Sequence, residues 1–169
     1  MGLFDIYPII NLRRNHGLEH ATIHILSRKV PNLSMVGRSD LKGFTLYGNV
    51  TIEDVNAAVT EALTRLKNGQ ASLAVHPNCG TILATTGLLT GLASFMAIGL
   101  SGAPRRRFRW ASIPEAILAA TFAALVSQPL GMFVQEHFTV SGIPGNLQIQ
   151  NILRVPNQHL TVHRITTTQ

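Results

Sequence analysis

The chain has 169 residues, of which 46% are hydrophobic and only 13% carry a charge, about half of the charged share of soluble proteins. Its formal net charge is +6, and the shortage of charge is local: residues 80–103 carry no charged side chain, and residues 111–135 carry only Glu115. These features exclude an ordinary soluble domain along the whole length. The single cysteine, Cys79, excludes an internal disulfide and fits a reducing compartment.

The first predicted element is a helix over residues 12–29. Asn11 can cap its start. Arg28 and Lys29 lie where the helix dipole favours cations, and Pro31 ends the helix. The residues before it contain no basic region followed by a small-residue cleavage site, so we do not expect a signal peptide.

Three short strands and one amphipathic helix are predicted next. The helix covers residues 52–68, with Thr51 as its N-cap and Gly69 as its C-terminal stop. Short runs bounded by turn residues predict the strands, and the first two form a candidate hairpin. The predicted strands are residues 34–40, 43–49 and 71–75.

Two apolar segments, residues 81–100 and 111–134, follow. Each is close to the ~20 residues that span a bilayer as a helix, so together they predict a transmembrane helical hairpin. The alternative is a pair of buried core helices. Gly87 and Gly91 predict a close approach of the two helices, and Pro129 predicts a kink or an early end of the second.

A basic run lies between the two apolar segments and consists of Arg105, Arg106, Arg107 and Arg109. In that position it favours the lipid bilayer, with its anionic head groups, as partner and argues against nucleic acid. A second copy of the chain or another membrane protein is a further candidate partner. The run itself favours the cytoplasmic side. The free cysteine and the lack of a signal sequence instead favour a cytoplasmic soluble domain, which we expect on a multi-pass protein of the cell membrane.

The tail alternates apolar and polar residues over 146–155 and 159–168, which predicts two further strands. The sequence therefore predicts an α+β fold, a small mixed domain with an inserted transmembrane helical hairpin. Its predicted parts are an N-terminal domain (1–79), the hairpin (80–135) and C-terminal strands that pack back on that domain (136–169). We expect His159 and His163 at the surface, since four residues of strand separate them by ~13 Å, too far to share a metal.

The segment HGLEH carries the first candidate chemistry, in His16, Glu19 and His20. Residues three and four apart share one face of a helix. Two imidazoles one turn apart can hold one metal ion, and a neighbouring carboxylate can act as general base towards a metal-bound water. The order His-x-x-Glu-His is that of the inverzincins. His24, eight residues after His16, either completes such a site or forms a hydrogen bond at the margin of the face.

The segment HPNCGT carries a second set of candidate metal ligands, His76 and Cys79. Imidazole and thiolate are both good zinc ligands, so this tight turn predicts two further ligands for the ion held by His16 and His20. The alternative is a rigid turn that starts the apolar helix, with Cys79 as a small buried side chain.

Together the two segments resemble the signatures of an uncharacterised family of bacterial membrane proteins. Its members read H-G-x-E-H and then H-P-x-C-G-T directly before a transmembrane segment, and they are commonly described as predicted metal-dependent enzymes. The chain resembles a short, divergent relative of the type found in Chloroflexi and cyanobacteria, over about residues 13–28 and 70–100. The signature falls on His16, Gly17, Glu19, His20, His76, Pro77, Cys79, Gly80 and Thr81, and leaves His24 outside.

The sequence thus predicts a membrane protein with a divalent-metal site, zinc by ligand type. If the site is catalytic, Glu19 is the base in metal-assisted hydrolysis at the membrane surface. The rival hypothesis is a non-catalytic accessory or assembly protein in which the histidine and cysteine cluster is structural. A third reading has no metal, with Glu19 bonded to a histidine in a polar core network.

Overall fold

The structure is a computed structural model that describes residues 6–100, 110–157 and 160–169. Within these ranges the chain forms four α-helices and a four-stranded sheet, which confirms the α+β fold. The helices are α1 (Ile9–Lys29), α2 (Ile52–Lys67), α3 (Gly80–Leu100) and α4 (Ile113–Val134); the strands are β1 (Met35–Asp40), β2 (Gly43–Gly48), β3 (Gln148–Val155) and β4 (Val162–Thr168). The predicted arginine run and His159 lie outside the described residues.

The chain divides into two compact units. One comprises Met1–His76 with Glu136–Gln169, and the other Pro77–Gln135. We call them the α+β unit and the helical unit. The α+β unit contains the whole sheet together with α1 and α2, and the helical unit contains α3 and α4.

The sheet of the α+β unit is antiparallel throughout, in the order β1-β2-β4-β3. The predicted β1–β2 hairpin and the two C-terminal strands are confirmed. Phe44 and Leu46 on β2 and Ile165 on β4 are fully buried, because alternate residues of a strand point to the same face. They form one apolar core with α1 and α2, whose fully buried members include Leu18, Leu26, Val55 and Val59.

The two helices of this unit differ in how they begin. In α2 the hydroxyl of Thr51 accepts a hydrogen bond from the amide of Asp54 (3.1 Å), as the sequence predicts. Gly69 follows α2 with φ +86°, a left-handed conformation that glycine adopts without steric cost. The predicted Asn11 cap of α1 is wrong. The helix starts three residues earlier than predicted, at Ile9, after Pro8 and without a side-chain cap.

The third predicted strand before the apolar segments is also wrong. Residues Ala71–Ala74 form a 3-10 helix, closed by the amide of Leu73 on the carbonyl of Gln70 (3.2 Å). Alanine and serine have low strand propensity, and a run this short has no period to decide its structure. Leu73 and Ala74 are buried, and the 3-10 turn directs both of them inwards.

The helical unit consists of two long apolar helices, α3 and α4, which follow each other in the chain and pack antiparallel. Gly80–Gly99 and Ile113–Thr139 are both long and apolar enough to cross a membrane, and only 6% and 11% of their most apolar windows are buried. Phe95, Phe122 and Leu125 are each about seven-tenths exposed. Both helices are thus mostly exposed among the described residues, whereas core helices of a soluble domain are mostly buried.

Contact between α3 and α4 differs from the prediction. A Cβ atom built on Gly87 or Gly91 meets nothing within 4 Å, so these glycines do not mediate the approach among the described residues. The close approach is at Gly131, where a Cβ would lie 3.1 Å from the Cα of Ile82. Pro129 does not end α4, which continues to Val134. A proline removes a single helical hydrogen bond, and in apolar helices the neighbouring turns can keep the rest.

Candidate metal centre

His16 and His20 stand one turn apart on α1 and face the same side. Their rings meet edge to face, with centroids 4.4 Å apart. A ligand nitrogen of one lies within 4.8 Å of a ligand nitrogen of the other. A tetrahedral zinc ion with bonds of ~2.0–2.1 Å needs the two nitrogens ~3.4 Å apart, so small ring rotations would suffice. His20 is buried and His16 half-buried.

Each of these two imidazoles is oriented by a backbone carbonyl. Nδ1 of His16 lies 3.0 Å from the carbonyl oxygen of Thr139, and Nδ1 of His20 lies 2.7 Å from that of Ala74. A carbonyl oxygen can only accept, so Nδ1 is the protonated nitrogen in both rings and Nε2 carries the lone pair. Metal-binding histidines usually hold their second nitrogen in this manner, which fixes the tautomer and the ring orientation.

Gly17 explains why both carbonyls reach the histidines. A Cβ at this position would lie 2.2 Å from the carbonyl oxygen of Ser141 and 3.3 Å from the side chain of Ala74. The segments that carry Thr139 and Ala74 therefore both pack onto α1 at the one residue without a side chain. The amide of Ser141 also donates to the carbonyl of Arg13 (2.9 Å), which ties the first of these segments to the helix.

Arg13 adds a second tie between α1 and the same segment. Its guanidinium donates to the carbonyls of His137 (2.9 Å) and Val140 (3.0 Å). The acceptor for His16 thus lies between two carbonyls that are themselves held by the helix that carries His16. Such a brace limits the freedom of the Thr139 carbonyl.

His76 lies beside the histidine row of α1. Its ring centroid is 6.2 Å from that of His20 and 6.4 Å from that of His24. It follows the 3-10 helix Ala71–Ala74, whose last residue supplies the carbonyl that orients His20. The structure therefore brings the predicted ligands His16, His20 and His76 together in the α+β unit, with His24 next to them.

His24 differs from the two histidines before it. Its Nδ1 is shielded from solvent and has no hydrogen-bond partner among the described residues. Partial burial, and then the positive charge of Arg28 one turn later, hold the pKa of His24 below its ordinary value. The imidazole is accordingly neutral at neutral pH, the form that binds metals.

Glu19 is turned towards the sheet. Its carboxylate accepts a short hydrogen bond from the hydroxyl of Ser39 on β1, and its side chain fills the space above Gly37, where any Cβ would collide with it. Glu19 is 4% exposed. Gly37 and Ser39 on β1 thus hold the carboxylate of Glu19 in place. The predicted role of Glu19 as a general base stays a prediction.

Cys79 belongs to the helical unit, at the start of α3. Its thiol is buried and free of disulfide, and its sulfur accepts a hydrogen bond from the amide of Thr81 (3.4 Å). Its predicted role as a metal ligand stays a prediction.

One histidine of the tail contradicts its prediction. His163 on β4 is not at the surface but fully buried, and neither ring nitrogen has a hydrogen-bond partner among the described residues. Burial, and then the charge of Arg154, lower its pKa. The alternation HLTVHRITTT could have shown the burial, since His163 shares its strand face with Ile165.

Other parts of the site gave no signal in the sequence. The carbonyls of Thr139 and Ala74 are backbone groups, which any residue provides. Gly17 is the exception, because a glycine inside a helical pattern indicates a packing or functional reason. The donor set that results, imidazoles with fixed tautomers, fits Zn²⁺ and similar borderline metals better than Mg²⁺ or Ca²⁺, which prefer oxygen.

Comparison with known proteins identifies the relatives of the chain. The family model described as a domain of unknown function (DUF6391) matches residues 11–152. An uncharacterized protein of the cyanobacterium Picosynechococcus sp. is 34% identical over 154 residues, which cover 85% of this chain and 72% of that protein. No solved structure matches the chain. The chain therefore belongs to the domain-of-unknown-function family DUF6391.

Proposed function

We propose that this protein holds one divalent metal ion, zinc by ligand type, through Nε2 of His16 and Nε2 of His20, in a unit anchored to a membrane by α3 and α4. One observation carries the proposal: both imidazoles bond a backbone carbonyl through Nδ1, which leaves the lone pair on Nε2. Two successive histidines on one helix face with the same fixed tautomer are better explained by a shared ligand than by core packing.

For the third ligand we propose Cys79. It follows His76 in the HPNCGT turn, imidazole and thiolate are both good zinc ligands, and a thiolate adds the negative charge that imidazoles lack. The ring of His76, the other ligand predicted from the sequence, is about equally far from His20 and His24. We leave His76 out of the ligand set of this ion, because His24 beside it has a shielded Nδ1 without a partner among the described residues.

The proposed membrane anchor rests on the surface of the helical unit. Large apolar side chains of α3 and α4 are mostly exposed, whereas the hydroxyls of these helices bond back to their own carbonyls. That pattern satisfies polar groups without water. We place the α+β unit in the cytoplasm, since Cys79, three residues after the last N-terminal residue of this unit, is the single cysteine of the chain, and a reducing compartment keeps such a thiol reduced.

A non-catalytic role of the metal fits the geometry better than hydrolysis. Hydrolysis would use Glu19 as general base, but its carboxylate accepts the Ser39 hydroxyl and packs over Gly37. To act on a metal-bound water, the Glu19 carboxylate would have to leave its contacts with Ser39 and Gly37. We therefore favour an accessory or assembly protein in which the ion fixes α1 to the turn that follows His76, and keep metal-assisted hydrolysis as the second candidate.

The metal content of the purified full-length chain tests the proposal. Wild type, His16→Ala and His20→Ala would be purified in detergent, dialysed against a weak chelator and measured by mass spectrometry. We expect about one zinc ion per wild-type chain and a loss of most of it in both variants, since each removes one ligand. His24→Ala is the matched control, a histidine one turn further on the same helix, and should keep the ion. Equal and negligible zinc in all four proteins would refute the proposal.

A further inference from the structure

The histidines of the α+β unit form a row that extends beyond the pair His16 and His20. Successive ring centroids lie 4.4 Å apart from His16 to His20, 6.2 Å from His20 to His76 and 6.4 Å from His76 to His24. Two imidazoles bound to one ion at ~2.0–2.1 Å have centroids no more than ~6.5 Å apart, with the value for a tetrahedral ion about 1 Å smaller. The pair His24 and His76 is therefore within reach of sharing an ion.

His24 gives an independent reason. Buried polar atoms in proteins almost always have a partner, and each exception calls for an explanation such as an ion. Nδ1 of His24 is such an exception among the described residues. In the same helix, Nδ1 of His16 and Nδ1 of His20 are both satisfied by carbonyls. A metal ion on Nδ1 of His24 would supply the partner that the described residues do not provide.

From these two observations we propose a second metal position, at His24 and His76, one helical turn along α1 from the first. It rests on the proposed function, because it extends the metal site of His16 and His20. The ligand is a divalent transition metal ion of the zinc class, since both donors are imidazoles. Water would complete the coordination of the ion.

The second position binds its ion more weakly than the first. It has two imidazole ligands and no thiolate, and Arg28 stands one turn after His24 with its positive charge close enough to influence that ring.

Zinc titration of the detergent-solubilised full-length chain, followed with a chromophoric chelator, tests the second position. For wild type we expect two ions per chain, the second bound at least about tenfold more weakly than the first. His24→Ala should lose the second ion and leave the affinity for the first unchanged. Arg28→Gln should strengthen the second ion several-fold and leave the first unchanged, because it removes only the repulsion. His137→Ala is the control for loss of an exposed histidine and should keep both ions.

The outcomes separate the two proposals. One ion in wild type, with the same affinity in His24→Ala, would overturn the second position and leave the first intact. Two ions in His24→Ala would also overturn it, because His24 would then not be a ligand. No ion in any of the proteins would refute the proposed function itself, and the second position with it.

Discussion

Gly17 decides where the acceptors of His16 and His20 lie. The backbone of Ser141 and the side chain of Ala74 both pack against its Cα. Any side chain here would push the segments that carry the two carbonyls away from α1. The glycine of HGLEH therefore serves the orientation of the histidines on either side of it, rather than the chemistry of the site.

Replacement of this glycine tests that role. In Gly17→Ala the new Cβ would lie 2.2 Å from a backbone oxygen, which cannot be relieved by a side-chain rotation. We expect a loss of about 1–3 kcal/mol in the free energy of unfolding and weaker zinc binding. Gly87→Ala is the control, since its Cβ meets nothing within 4 Å in a helix, and it should be neutral or slightly stabilising. Thermal unfolding would measure both, and equal stability of the two variants would contradict this role of Gly17.

His163 makes stability depend on pH. It is fully buried on the core side of β4, opposite Leu46 of β2. Burial, with a smaller effect of Arg154, holds its pKa below the ordinary 6.5. The unfolded chain therefore binds a proton on this residue at a higher pH than the folded chain does. Stability is unaffected by His163 above pH 6.5, and falls as the pH drops below 6.5 towards the lower folded pKa.

A leucine at this position removes the effect. In His163→Leu we expect a smaller loss of stability between pH 7 and pH 5 than in wild type. At pH 7.5 the variant should be at least as stable, because an unsatisfied buried polar group is replaced by an apolar one of similar size. Denaturant unfolding at a series of pH values would measure this. An unchanged pH dependence would show that other groups, such as His24, cause the acid sensitivity.

Among the elements, α3 and α4 are joined by hydroxyl contacts within an apolar surface: Thr86 to Ser127, and Ser94 to the carbonyl of Ala116 (3.5 Å). The hydroxyls of Thr86 and Ser127 lie 2.7 Å apart, and Ser127 is 1% exposed. Most other hydroxyls of these helices bond a carbonyl one turn back, as Thr121 does to Ile117 (2.8 Å). The Thr86–Ser127 pair is the shorter of these two contacts and, with the approach at Gly131, helps to set the register of the two helices.

Replacement of Ser127 by alanine measures the Thr86–Ser127 contact. Ser127→Ala should destabilise the pairing of the helices by about 0.6 kcal/mol, and by no more than about 2 kcal/mol, the range for such bonds between membrane helices. Thr121→Ala removes a hydroxyl that bonds only within its own helix and should change stability less. Unfolding of both variants by titration with sodium dodecyl sulfate would compare them. A larger loss of stability in Thr121→Ala than in Ser127→Ala would contradict the role of the Thr86–Ser127 contact in joining the two helices.

The sequence was sufficient to predict the elements with strong periodicity. The Thr51 cap, the β1–β2 hairpin and the two apolar helices are confirmed, because local spacing determines them. The sequence was not sufficient where contacts between distant segments determine the structure. Three features belong to this group: the 3-10 helix at Ala71–Ala74, the interior position of His163, and the closest approach of the apolar helices at Gly131 instead of Gly87 and Gly91. Each of these depends on a segment distant in the chain, which local pattern does not contain.

The same limit applies to the metal centre. The histidines and their helical spacing were visible in the sequence, and the structure brings His16, His20 and His76 together. The carbonyls that orient two of them come from residues 54 and 123 positions away. The direction of Glu19 likewise follows from its contact with Gly37 and Ser39 on β1, which the spacing of HGLEH does not contain.

For the molecule as a whole, the proposed membrane anchor can be tested with a single charge. Leu125 lies near the middle of α4 and is 70% exposed. A lysine at the centre of a membrane helix costs about 2.5–3.5 kcal/mol of insertion free energy, whereas on a water-facing surface it is harmless. We expect the wild-type chain to stay in the membrane pellet after alkaline carbonate extraction and Leu125→Lys to be depleted from it. A soluble, well-folded Leu125→Lys protein in higher yield than wild type would contradict the anchor.

The most direct test of the metal centre is the protonation of its rings. Long-range ¹H–¹⁵N spectra of the full-length protein with labelled histidine distinguish Nδ1–H from Nε2–H rings, and His16→Ala and His20→Ala assign the signals. We predict that both histidines carry the proton on Nδ1 without metal, and that one equivalent of Zn²⁺ shifts their Nε2 signals while Nδ1 stays protonated. Protons on Nε2, or Nε2 signals that zinc leaves unchanged, would contradict the proposed site.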